Sequence, residues 1–280
     1  MSAIDLETLR QWIGRTEETS DVLTPGLLRR FEATFSDLLQ PSRNVPPGVH
    51  WCLSPAVAAM DEIGEDGHPK KGGFLPPVPL PRRMWAGGEV EFRAPVEAGD
   101  VVTRRSRIAD IAARSGRSGD LVFVTVEHEH FGPAGMAIRE RQDIVYREAA
   151  TAPAPPPVAS GEVEDADERQ TVECGSVMLF RYSALTFNGH RIHYDRSYAT
   201  EVEHYPGLVV HGPLQATMLM NFASGLRPGR TLLKVAYRGV SPLIQGAAFT
   251  LNARAEGDAA ALWTAGSNGA LAMRMSASFS

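Results

Sequence analysis

Hydrophobic and polar positions recur with two different periods along this chain, and the change-over points divide it. Near the start, Ile4, Leu6, Leu9, Trp12 and Ile13 follow a helical spacing, and Thr24-Pro25 reads as N-cap and first residue of a second helix with Leu27, Leu28, Phe31 and Phe35 on one face. Both predict short covering helices. From Glu89 the period shortens to two. EVEFRAPV, VVTRRSRIADIAA, LVFVTVEHEH and AIRERQDIVYR are rich in β-branched residues and separated by turns, one of them SGRSGD at 115–120, which predicts an antiparallel sheet. Strand patterns return at TLLKVAYRGV, AAFTLNARAE, AALWTAGSN and ALAMRMSASFS, the last three at hairpin spacing. Ahead of them runs the strongest helical pattern, His211-Gly212-Pro213 followed by LQATMLMNFAS, with Pro213 suited to N1 and Leu214, Met218 and Phe222 on one stripe.

Between the two sets of strands, TAPAPPPVAS at 151–160 places four prolines in ten residues, which removes donors and favours extended backbone. The 280 residues therefore divide into an N-terminal domain over 1–150 with covering helices, a Pro-rich linker over 151–160, and a C-terminal domain over 161–280. Each half ends in antiparallel strands, and the second puts a buried helix before them. This is an α+β arrangement repeated with divergence, with no residue-level repeat.

Composition narrows the function. Hydrophobic residues at 43% and charged ones at 22% predict a globular protein with a sizeable core. A net charge of −5 gives no basic field for nucleic acid. No apolar run approaches the roughly 18 residues of a membrane span, and the N-terminus lacks the form of a signal peptide. Cys52 and Cys174 are the only cysteines, so no disulfide framework exists and a cytoplasmic location is expected.

The densest chemistry lies over 180–216, which holds four of the eight histidines. Asn188, His190, Arg191, His193, Tyr194 and Asp195 fall within eight positions on a glycine-containing turn, where polar side chains can converge. Acid–base chemistry at such a turn needs a base, a proton donor, and donors to a developing oxyanion. His193 has the ordinary pKa for a base; Asn188 can hold a water but cannot accept a proton. Asp195 can orient His193 or cap the helix predicted over 196–203, the cap being favoured by its context. A helix starting at Gly212 would present the backbone N–H of His211 or Gly212 to an oxyanion; the His211 ring can instead pack in the pocket wall.

The segment FNGHRIHYD followed by GLVVHGPLQA resembles the hydratase 2 motif of MaoC-like hot-dog enzymes, in which an acidic residue precedes histidine by five positions. PLPRRMWAGGEVEF, Pro79 to Phe92, resembles the degenerate first hot-dog of a fatty-acid-synthase-like dehydratase branch that includes mesaconyl-C4-CoA, itaconyl-CoA and 3-hydroxyacyl-thioester enzymes. The resemblance implies a double hot-dog with a degenerate N-terminal member that binds substrate and a catalytic C-terminal one. It implies hydration or dehydration of an acyl-CoA, with mesaconyl-C4-CoA to citramalyl-CoA as first expectation and the fatty-acid-type dehydratase or itaconyl-CoA hydratase as alternatives. Asn188 departs from the acidic residue of the wider family, which leaves His193 as the base. A thioesterase or a non-catalytic acyl-CoA-binding protein on the same fold is the competing class.

A substrate with a free carboxylate needs a cation, for which Arg82 and Arg83 are candidates; Trp85 and Arg191 are carried as further substrate contacts, although Trp85, Trp263 and the Met218 stripe also suit core packing. No metal is expected, because the four histidines fit no recognised ligand spacing. No cofactor is expected beyond the CoA of the substrate, and the assembly is expected to be a monomeric double hot-dog or a homodimer.

Overall fold

A computed structural model describes residues 4–40, 45–116, 119–153, 156–159 and 166–280; parts of the 115–120 turn and of the 151–160 linker lie outside them. Helices α1 (Leu6–Arg10) and α2 (Pro25–Phe35) form where their spacing puts them, and Thr24 Oγ1 accepts the Leu27 N–H as the cap of α2. Between them lies a strand that the pattern did not predict, β1 (Thr16–Val22). Its sequence TEETSDV buries no residue, since it is an edge strand with both faces wet.

The first half continues with β2 (Arg82–Phe92), β3 (Val101–Gly116), β4 (Gly119–Gly132) and β5 (Gly135–Arg147). The second contains β6 (Glu168–Val172), α3 (Ser176–Thr186), α4 (Gly212–Leu226), β7 (Leu232–Gly239), β8 (Phe249–Glu256), β9 (Ala259–Ala265) and β10 (Leu271–Phe279). All ten strands form one antiparallel sheet in the order β1-β3-β4-β5-β2-β7-β10-β9-β8-β6. Counted within its own half, each strand occupies the same place in both halves, mirrored about the β2–β7 joint. The repeat that the residues conceal is present in the topology.

The halves differ in what fills them. Leu214 to Ala223 of α4 are buried without a break, so this helix is enclosed all round and packs on β2 and β7 to β10. Gly212 opens it and Pro213 is its second residue, one position later than the sequence suggested. The corresponding place in the first half, between α2 and β2, holds no such helix among the described residues. The described part of 45–81 runs as loops with 3₁₀ turns at Val49–Cys52 and Met60–Glu62. This is the double hot-dog with a degenerate first member. No helix among the described residues is long and apolar enough to cross a membrane.

Where a central helix would lie, the first-half sheet buries a polar cluster. Glu140 is 2% exposed and its Oε1 accepts from Trp51 Nε1 and Gln142 Nε2, both at 2.7 Å. Its Oε2 faces His130 and His50 at 3.5 and 3.8 Å. Burial pushes this carboxyl up, but the bond from His130 and the charges around it hold it below the usual range. Removing the anion strands several buried donors at once. Glu140→Ala is therefore expected to cost about 3 kcal/mol or more in denaturant unfolding, and a loss below about 1 kcal/mol would contradict this account of the cluster.

Candidate active site

The site begins where α3 stops. Phe187 takes the left-handed conformation (φ 51°, ψ 34°), and the Asn188 N–H returns to the Ser183 carbonyl at 2.9 Å. That cap turns the chain sharply into the 3₁₀ turn Arg191–His193. Asn188 Oδ1 accepts the His190 N–H at 3.0 Å, which fixes the orientation of the amide and leaves Nδ2 as a donor. His190 and His193 rings meet edge to face, with centroids 5.3 Å apart.

His193 is 7% exposed, and its Nδ1–H donates to the Val209 carbonyl at 2.8 Å. A carbonyl only accepts, so Nε2 carries the free lone pair. Below it the His211 ring stacks at 3.6 Å and 19°, itself 0% exposed and paired through Nε2 with Ser183 Oγ at 2.9 Å. The His211 side chain thus belongs to the wall and fixes the plane of His193. Burial lowers the His193 pKa to about 4, against the bond to Val209, so the ring is a neutral base over the physiological range.

At the start of α4 neither the His211 nor the Gly212 N–H has a backbone acceptor among the described residues. Trp85 closes on this point: a Cβ on Gly212 would lie 2.8 Å from its ring. Trp85 in turn stacks on Tyr237 at 4.4 Å. His193, Asn188, Gly212, Trp85 and Arg83 all line one cavity of about 1820 Å³, long enough for an extended ligand.

The structure separates the candidate arginines. Arg82 lines the cavity, but its side chain is buried, ion-paired with the buried Glu203 and laid over the Tyr205 ring at 5.0 Å, so its charge is answered within the protein. Arg191 is likewise held within the protein. Its Nε and Nη2 bind Asp195 Oδ2 at 3.0 and 2.7 Å and its Nη1 binds the Glu65 carbonyl at 3.0 Å, so all three nitrogens are engaged within the protein. Asp195 Oδ1 accepts the Tyr198 N–H at 3.1 Å, which makes it the helix cap and not a partner of His193. Arg83 makes no ion pair within 4.0 Å among the described residues, and its charge falls on Asp66, Tyr146, His68 and His190.

Two residues of the site escaped the sequence pattern. The loop around Asp66, Gly67 and His68, from the first half, lies against the catalytic turn. The Arg191 N–H donates to the Asp66 carbonyl at 2.9 Å, and Gly67 touches Gly189 so closely that a Cβ on Gly67 would sit 1.9 Å from the Gly189 oxygen. His68 stacks against His190 at 4.2 Å. The only hint in the sequence is a histidine two positions after an aspartate in a Gly-Pro loop, which ordinarily signals a turn.

Comparison with known proteins identifies the family and the fold. The profile of the hydroxyacyl-thioester dehydratase type 2 family matches residues 48–245. The mesaconyl-C(4)-CoA hydratase of Chloroflexus aurantiacus is 44% identical over 269 residues, covering 94% of each chain. Among solved structures, a MaoC-like dehydratase from Phytophthora capsici superposes with a TM-score of 0.70 at 13% identity over 99% of both chains. A Mycobacterium tuberculosis protein with a double hot-dog fold gives 0.56 at 13% identity over 96% of both. At such identities the two structures show the fold alone.

The Gly67–Gly189 contact can be tested by itself. Gly67 also has a φ of +87°, so Gly67→Ala is expected to lift the loop and destabilise the protein by about 2 kcal/mol in thermal unfolding, with new proteolysis near residue 67. Gly73→Ala, with nothing within 4 Å, serves as the silent control.

Proposed function

The chain belongs to the hydroxyacyl-thioester dehydratase type 2 family, and from that premise we propose that it adds water reversibly across the double bond of an acyl-CoA thioester bearing a second carboxylate. Mesaconyl-C4-CoA is the substrate of choice and citramalyl-CoA the product. The observation that carries this reading is His193, whose Nδ1–H is held by Val209 while Nε2 is left to the cavity. A neutral, desolvated imidazole with a fixed tautomer is a base for water.

The remaining parts follow from the surroundings. Asn188 Nδ2 donates to the attacking water and holds it beside His193. As oxygen bonds to Cβ, negative charge moves to the thioester oxygen, and the Gly212 N–H at the start of α4 supplies a donor and a favourable dipole there. Trp85 covers that point and excludes water. Arg83, whose charge no protein carboxylate answers at ion-pair distance among the described residues, takes the distal carboxylate. Coenzyme A enters as part of the substrate, and no resident cofactor takes part in this scheme.

Loss of the enoyl absorbance of mesaconyl-C4-CoA is the direct assay. His193→Ala is expected to lower kcat/KM by about 10² or more, whereas release of free thiol without enoyl consumption would replace this reading with a thioesterase. Arg83→Met is expected to raise KM for mesaconyl-C4-CoA by about tenfold or more while leaving crotonyl-CoA, which has no second carboxylate, within about threefold. Because the base must be neutral and burial lowers its pKa to about 4, kcat/KM falls as pH drops through that value.

A further inference from the structure

We propose that Asp66 and His68, on the loop that stands in for the missing central helix of the first half, form a second proton-transfer group: His68 delivers the proton to Cα while His193 takes one from water. This rests on the hydratase reading above. Hydration needs an acid as well as a base, and Asn188 cannot be that acid. The nearby carboxylates are engaged elsewhere, Asp195 with Arg191 and the Tyr198 N–H, Glu203 with Arg82.

Asp66 and His68 are built as a dyad. Asp66 Oδ1 accepts the His68 backbone N–H at 3.0 Å and Oδ2 accepts Nδ1–H at 2.8 Å, which fixes the ring and leaves Nε2 as its remaining nitrogen. His68 lines the same cavity as His193, and His190 lies between them, 4.2 Å from one ring and 5.3 Å from the other. The loop cannot drift, being held by Arg191 and by the Gly67–Gly189 contact.

Burial, the largest influence on His68, disfavours its imidazolium, and the charges around the ring add to or oppose that effect. Burial pushes the pKa down to about 4, Arg83 and Lys71 add to that effect, and Asp66 opposes them. His190 and His193 also face this ring cluster, both kept neutral by burial. A substrate carboxylate at Arg83 would offset that cation and join Asp66 in favouring the imidazolium of His68 against burial and Lys71. His193 has only a neutral carbonyl at its Nδ1 and stays a base. The step then balances. His193 Nε2 accepts a proton from water, the oxygen bonds to Cβ, and the π pair moves to the thioester oxygen. The enolate pair returns to bond Cα to the proton released by His68 Nε2. Transfer of the proton from His193 to His68, past His190, restores the starting state.

Ligand atoms of Asp66, His68 and His190 also lie within 4.8 Å of one another, a spacing open to a divalent cation. The direct bond between Asp66 Oδ2 and His68 Nδ1 already joins two of the three residues, which favours the proton dyad.

The test uses the full chain and its His68→Asn and Asp66→Asn variants. It reads kcat against pH on mesaconyl-C4-CoA, deuterium exchange at Cα of citramalyl-CoA in D2O, and thioester Kd. The parent is expected to show a bell-shaped kcat profile, with the alkaline limb set by His68. His68→Asn should lose about 10² in kcat and a similar factor in Cα exchange, keep Kd within about threefold, and lose the alkaline limb. Asp66→Asn should move that limb to lower pH. Near-parental kcat and profile in His68→Asn, loss of thioester binding in both variants, or abolition by EDTA with recovery on added Zn²⁺ would each overturn the dyad. If the parent turns over no thioester, the hydratase reading fails and the dyad with it; if only the variants behave like the parent, the dyad fails alone.

Discussion

The antiparallel pairing of β2 with β7, from Gly87 opposite Arg238 to Glu91 opposite Lys234, joins the two halves and sets the position of everything in the site. Two adjacent glycines make that joint possible. A Cβ on Gly88 would fall 2.1 Å from the Arg141 carbonyl oxygen and 2.6 Å from the Tyr237 hydroxyl. With no side chain there, Tyr237 reaches across the joint and stacks on Trp85, and Trp85 meets the first residue of α4. The register of one strand pair therefore determines how close an aromatic wall comes to the helix N-terminus, and so how dry that terminus is.

Desolvation is the second organising force, and it acts on every histidine of the site in the same direction. His68, His190, His193 and His211 are all shifted below the usual histidine value, with burial as the first cause. What distinguishes them is the partner at the other nitrogen. A backbone carbonyl orients His193 without favouring its charge as an anion would, a hydroxyl anchors His211 in the wall, and a carboxylate backs His68. A row of similar rings is divided into different roles by hydrogen-bond partners that no composition count reveals.

Much of this was legible in the sequence because it is local. The motif from Phe187 to Asp195, the start of α4 and the long strands after Glu89 are each contiguous, and each carries a periodic or spaced signal. What stayed hidden depends on tertiary context. The edge strand β1 buries nothing, and α3 leaves Val177, Phe180 and Phe187 exposed, so neither shows a clear apolar face. Arg82 and Arg83 are neighbours in sequence and could not be told apart until β2 turned one towards Glu203 and left the other beside His68 and His190. Asp66 and His68 lie more than a hundred residues before His193, and only the Gly67–Gly189 contact reveals them as neighbours.

The mirrored topology explains why the degenerate half is useful. If both halves kept a central helix, each would present its own helix start, and the space between them would be closed by packed apolar surface. Replacing one helix with the loops of 45–81 opens the cavity on that side and frees a segment to cross to the other half. In the proposed scheme the base, the water-holding amide and the oxyanion donor then come from the second half, while Arg83, Trp85 and the Asp66–His68 pair come from the first. The proposed proton chemistry therefore draws on both halves, while recognition of the acyl group rests on the first. A change in the first-half loop can alter which acyl group is accepted without disturbing the tautomer of His193, because that tautomer is set by Val209 within the second half alone.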